Sequence, residues 1–93
     1  MKRRKYASVW EALESDGELA ANMRARSELM IALRSKVETW KISQTEAARR
    51  LGLTQPRLND LMRGRIGKFS LDALINVAAR AGLAVHLKIG KAA

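Results

Sequence analysis

Between Ser43 and Gly64 the chain carries two helix starts and two helix stops in close succession, and this spacing constrains the fold more than any other feature. Ser43-Gln44-Thr45-Glu46 has capping-box spacing. A serine hydroxyl there accepts from the amide three residues on, and the glutamate is placed to reach back to the Ser43 amide. The helix it opens runs only to Leu51, because Gly52 supplies a left-handed stop. Thr54 caps the next helix, and Pro56 sits in its first turn, where a missing N–H is harmless. Leu53 and Leu58 flank that cap at hydrophobic-staple spacing, and the helix ends at Arg63-Gly64.

Two short helices joined by about three residues that include a glycine make a helix-turn-helix signature. Ala48 is small where the second helix must cross the first. At about 100° per residue, Leu58, Leu61 and Met62 form the inward face, packing toward Ala47, Leu51 and a longer helix before them. Pro56, Asn59, Asp60 and Arg63 then point outward, with Arg57 on the flank and Gln55 projecting from the first turn. Such a face suits the major groove, where Gln or Asn pairs with adenine and Arg with guanine.

Around this pair the pattern predicts three more helices. A short one spans Ser8 to Glu14, stopped near Asp16-Gly17. A long one runs from Glu18 to Lys41 with a stripe of Leu19, Met23, Met30, Leu33, Val37 and Trp40, interrupted where Arg26 takes a stripe position. Its first turns are therefore expected to be exposed or to face a partner. The last starts at Ser70, with Phe69 and Leu74 as a second staple and Asp72 in the first turn, and closes at Gly82. The tail changes period: Leu83, Val85, Leu87 and Ile89 alternate with Ala84, His86 and Lys88, as in a half-buried strand. One strand has no ladder of its own, so it is expected to pair across a dimer through Val85, Leu87 and Ile89. The expectation is an all-α, five-helix domain with one C-terminal strand. Residues 1–17 are read as a basic arm and short helix, 18–82 as the helix-turn-helix domain, and 83–93 as strand and tail.

Charge then separates the two halves. The 93 residues carry 18 Lys and Arg against 9 Asp and Glu, a net charge of +9. Ten basic and three acidic residues fall in 41–93, a net of +7, whereas 6–40 carry four basic and six acidic ones. A basic half joined to a near-neutral one suits a polyanion at one end and another partner at the other. The length allows one domain, and 47% apolar content is enough for a core. There is no Cys, hence neither a disulfide framework nor a thiolate metal site. Met1-Lys2-Arg3-Arg4-Lys5 begins like a signal peptide, but no apolar stretch follows, so a cytoplasmic protein is expected. His86 has no second His and no acidic neighbour in the strand, Trp10 and Trp40 read as packing residues, and no nucleophile, tuned acid–base pair or metal set is visible. No enzyme activity, metal or cofactor is expected.

From Ile42 to Gly64 the sequence resembles the core of Cro/repressor-type (XRE) regulators, with their lambda-repressor-like fold. Phe69-Ser70-Leu71-Asp72-Ala73-Leu74 resembles the antitoxin-like, HigA-type branch. The likeness covers roughly residues 29–89. It implies that Gln44 contacts a phosphate and that Gln55, Pro56, Arg57 and Asp60 face bases. It also implies homodimers on palindromic operators and, for the antitoxin branch, a RelE/HigB-like ribonuclease toxin encoded alongside, with autorepression of the shared operon. With the residue reading, base contacts are assigned to Gln55, Pro56, Arg57, Asn59 and Asp60. Phosphate contacts are assigned to Gln44, Arg49, Thr54, Arg63, Arg65 and Lys68. Two rivals stand beside the antitoxin reading: a stand-alone repressor, and an adaptor that uses the same helices to bind protein only.

Overall fold

The computed structural model describes residues 17–91. Four α-helices and one short 3₁₀ turn follow in order: α1 Gly17–Trp40, α2 Gln44–Leu51, α3 Gln55–Met62, the turn Ile66–Lys68, and α4 Leu71–Arg80. Of the five expected helices, the one over Ser8–Glu14 lies outside the described residues, as do Trp10 and the Lys2–Lys5 run.

Helix boundaries follow from capping. Ser43 Oγ accepts from the Glu46 amide at 3.1 Å, Thr54 Oγ1 from the Arg57 amide at 3.3 Å, and Ser70 Oγ from the Ala73 amide at 3.1 Å. Each satisfies one of the donors a helix start leaves unpaired. Gly52 ends α2 at φ +68°, and the Leu53 amide then donates to the Ala48 carbonyl at 2.9 Å. Gly64 ends the α3 turn in the same left-handed region, at φ +73°.

The core is one cluster. Met30, Leu33 and Val37 from α1 meet Ala47, Ala48 and Leu51 of α2, Leu58 and Leu61 of α3, and Leu74, Val77 and Ala78 of α4. Phe69, only 2% exposed, enters from the loop before α4. The stripe on α1 therefore divides as its interruption foretells: Leu19 and Met23 are exposed, while the turns after Arg26 are buried. Ala48 is 3% exposed within the core cluster, where a larger side chain would not fit without repacking.

Two expectations are corrected. The segment 83–89 forms no strand within the chain; beyond the Leu83 amide, which donates to the Ala78 carbonyl, no backbone hydrogen bond ties it down among the described residues. The physical reason is that no second extended segment offers it a ladder. The capping box at Ser43 is half formed: the Glu46 carboxylate turns outward to Arg49 and Arg50 instead of back to the Ser43 amide. The turn over Ile66–Lys68 was not expected from the sequence.

Candidate nucleic-acid interface

Helix α3 is anchored from below by Leu58 and Leu61, at 1% and 0% exposure, and this determines what it presents above. Gln55, Pro56, Asn59 and Arg63 are exposed, and Arg57 and Asp60 are half-buried on the flanks. No other part of the described chain packs over the outward side of this helix. At the start of the motif, Gln44 is exposed on the first turn of α2, and Gln55 Nε2 donates to Thr45 Oγ1 at 2.8 Å, joining the first turns of the two helices.

The flanking charges are more constrained than their spacing implies. Arg57 folds against the loop that follows α3: its Nη1 donates to the Lys68 carbonyl at 2.7 Å, and its guanidinium lies 4.2 Å from the centre of the Phe69 ring. Stacking of this kind holds a guanidinium in a fixed plane. Its Nε and Nη2, the edge that makes bidentate contacts, have no partner among the described residues. Asp60 accepts from Arg65 Nη1 at 3.3 Å, and the Arg65 amide donates to the Asp60 carbonyl at 3.0 Å. Asp60, expected on the outward face, thus lies on the flank of α3, neutralised by a residue assigned to phosphate.

Arg49 donates to both oxygens of Glu46, while Arg50 pairs with Glu46 at 3.7 Å and stacks 5.0 Å from the Trp40 ring. The Arg49 hydrogen bond holds the Glu46 carboxyl below its ordinary range against a weaker opposing effect of burial, and Arg49 is stabilised in its charged form. A lowered folded-state value contributes stability that is present above the unfolded value and lost as pH falls through the lowered one. Both groups are solvent-exposed, so the contribution is small; the consequence is that acid releases Arg49 and Arg50 from their counter-charge. Arg63 and Lys68 are exposed, and neither side chain makes an ion pair among the described residues. Thr54 is occupied as the cap of α3.

Two arginines outside the assigned contacts, Arg26 and Arg80, hold this frame, and a third, Arg34, lies beside it. Arg26 Nη1 donates to the carbonyls of Ile66 and Phe69, at 3.4 and 3.2 Å, tying the basic loop to α1. Arg80 Nη1 donates to the Leu51 carbonyl at 3.2 Å, beside Gly52. Arg34 is half-buried next to Gly64. The available signal was Arg26 itself: a cation at a stripe position must find acceptors where an apolar neighbour would pack.

A family model described as a helix-turn-helix domain matches residues 14–90 of the chain. A solved structure described as an XRE family transcriptional regulator is similar to it at 27% sequence identity and a TM-score of 0.71, over 78% of this chain and 82% of that one. No curated protein matches the chain. Among the described residues, no helix is long and apolar enough to cross a membrane.

Proposed function

The chain belongs to the helix-turn-helix domain family, and on that premise we propose that it is a sequence-specific DNA-binding transcriptional regulator acting as a repressor. The observation that carries this reading is the uncovered outward side of α3, with exposed Gln55, Asn59 and Arg63 above a fully buried leucine pair. Gln55, Pro56, Arg57, Asn59 and Asp60 read bases, with Arg57 presented to a guanine from its seat on Phe69. Gln44, Arg49, Thr54, Arg63, Arg65 and Lys68 line the phosphates on either side. Repression follows from occlusion, a bound protein denying polymerase the same DNA.

The regulator acts as a homodimer on a palindromic operator, its recognition helices about 34 Å apart. Val85, Leu87 and Ile89, at 38%, 81% and 87% exposure, support pairing of the 83–89 segment with its counterpart. These are apolar side chains on a stretch whose backbone groups lack partners within the described residues, an arrangement that a second strand would satisfy. We extend the reading to an antitoxin that autorepresses its operon and neutralises a RelE/HigB-like toxin, on the resemblance of residues 69–74 and the near-neutral character of the N-terminal half. Co-expression with the product of the neighbouring gene tests that extension. A small basic ribonuclease that co-purifies supports the antitoxin, and its absence leaves a stand-alone repressor.

DNA binding itself is tested by titration against salt. With about eight phosphates neutralised per dimer, log affinity is expected to fall against log salt with a slope near about −7, and a flat response would favour a protein-only adaptor. Arg57→Ala is expected to cost roughly 1–3 kcal/mol on the operator and to relax preference at one base pair. Loss of affinity with preference intact would move Arg57 from reading to support.

A further inference from the structure

Arg34 lies two turns beyond Arg26 on α1 and is the one described residue with a buried side-chain donor lacking any acceptor: its Nε is out of contact with solvent and bonded to nothing. A half-buried arginine with an unsatisfied donor is costly, and such a group calls for a reason. The guanidinium borders a pocket of about 160 Å³ lined by Ser27, Met30, Ile31, Arg34, Gly64 and Ile66, in which there is no carboxylate. The positive charge therefore has no counter-ion on the walls of its own pocket.

The pocket opens at the end of the recognition helix. Gly64 follows α3 directly, between Arg63 and Arg65, and a Cβ built on it would stand 3.3 Å from Arg34 Nη1. Glycine takes the φ of +73° without strain, and its missing Cβ spares the guanidinium a tight contact. Arg63 and Arg65 flank Gly64 in the chain; Arg65 is paired with Asp60, whereas Arg34 makes no ion pair among the described residues.

We propose that Arg34 is a phosphate-binding residue, its guanidinium receiving a backbone phosphodiester of DNA beside Gly64. The assignment rests on the DNA-binding reading and adds a residue outside the helix-turn-helix pair to it. Arginine suits the task because its planar fork matches phosphate oxygens and its charge is permanent. The phosphate is met by the Nη edge beside Gly64, because the Nε itself is closed to solvent.

The test separates binding from folding. Arg34→Met keeps the length of the side chain and removes the orphaned donor, so the melting temperature is expected to hold or rise. The salt slope on duplex DNA should become shallower by about 0.9 per protomer, with an affinity loss of about eightfold per protomer in 0.1 M salt, equal on all sequences. Arg34→Lys keeps the charge and should keep the slope. Arg34→Gln repeats the measurement if the methionine variant folds poorly. A steep wild-type slope retained in folded Arg34→Met or Arg34→Gln overturns this assignment alone, whereas a flat wild-type response overturns the DNA reading and this assignment together. Stabilisation of the wild type but not Arg34→Met by inorganic phosphate, with the DNA slope unchanged, would identify a free-anion site and also overturn it.

Discussion

Phe69→Ala is expected to remove a large share of the stability of this domain. The ring is 2% exposed and packs into the single cluster formed by all four helices. Truncating a buried phenylalanine costs about 3–5 kcal/mol, against a total of about 5–15 kcal/mol for a domain of ordinary stability. For a chain of this length, the melting temperature should fall by more than about 10 °C. Packing is only part of what the residue does, since Arg26 grips its carbonyl and Arg57 lies over its ring. Phe69→Leu separates these roles. Leucine keeps much of the buried volume and should keep the fold, at a cost below that of alanine. It removes the aromatic face that steadies Arg57, so affinity for the operator should fall and preference at the Arg57 base pair should relax. Thermal denaturation and fluorescence anisotropy measure the two effects. Unchanged operator affinity in a folded Phe69→Leu chain would mean that the stacking contact has no part in recognition.

The largest effect on DNA binding is expected from the combined change Arg63→Ala, Arg65→Ala, Lys68→Ala. Each lost phosphate contact makes the salt slope shallower by about 0.9, so the three together remove about 2.7 per protomer, and affinity in 0.1 M salt should drop on the order of 10²–10³-fold per protomer. The loss should be nearly equal on operator and unrelated sequence, because these side chains position the protein and do not read bases. Within the set, Arg65 should matter most. Its removal deletes a cation and also strips Asp60 of its partner, leaving an uncompensated carboxylate on the flank of α3. Arg65→Ala with Asp60→Asn should therefore recover part of the single-variant loss, whereas Arg63→Ala gains nothing from the same addition. Equal behaviour of Arg63 and Arg65 in that comparison would show that the Asp60 pairing has no consequence on DNA.

The four described helices were legible from local chemistry. Ser43, Thr54 and Ser70 each bind the amide three residues on, Gly52 and Gly64 take the left-handed turn, and these interactions span only a few residues. The inward stripe of Leu58 and Leu61 follows from helical periodicity alone, and with it the outward placement of Gln55 and Asn59. The capping box at Ser43 forms only by half, because three groups compete for one carboxylate. Glu46 has the Ser43 amide within reach and also two guanidinium groups one turn on, and the ionic partners win.

Periodicity and capping motifs, read from the residues in order, were sufficient to place the helices, their ends and the polar side of α3, since each of these depends on neighbours a turn or less away. The destinations of the long cationic side chains came only with the packed chain. Arg26 meets carbonyls forty and more residues on, Arg57 finds Phe69, Arg80 reaches Leu51 and Arg34 comes to rest beside Gly64. A flexible arginine sweeps a wide radius, and which acceptor lies within it depends on how helices remote in sequence are brought together. The 83–89 segment marks the same division: its alternation is written in the residues, but a ladder needs a second extended chain, and one copy folded alone has none to offer.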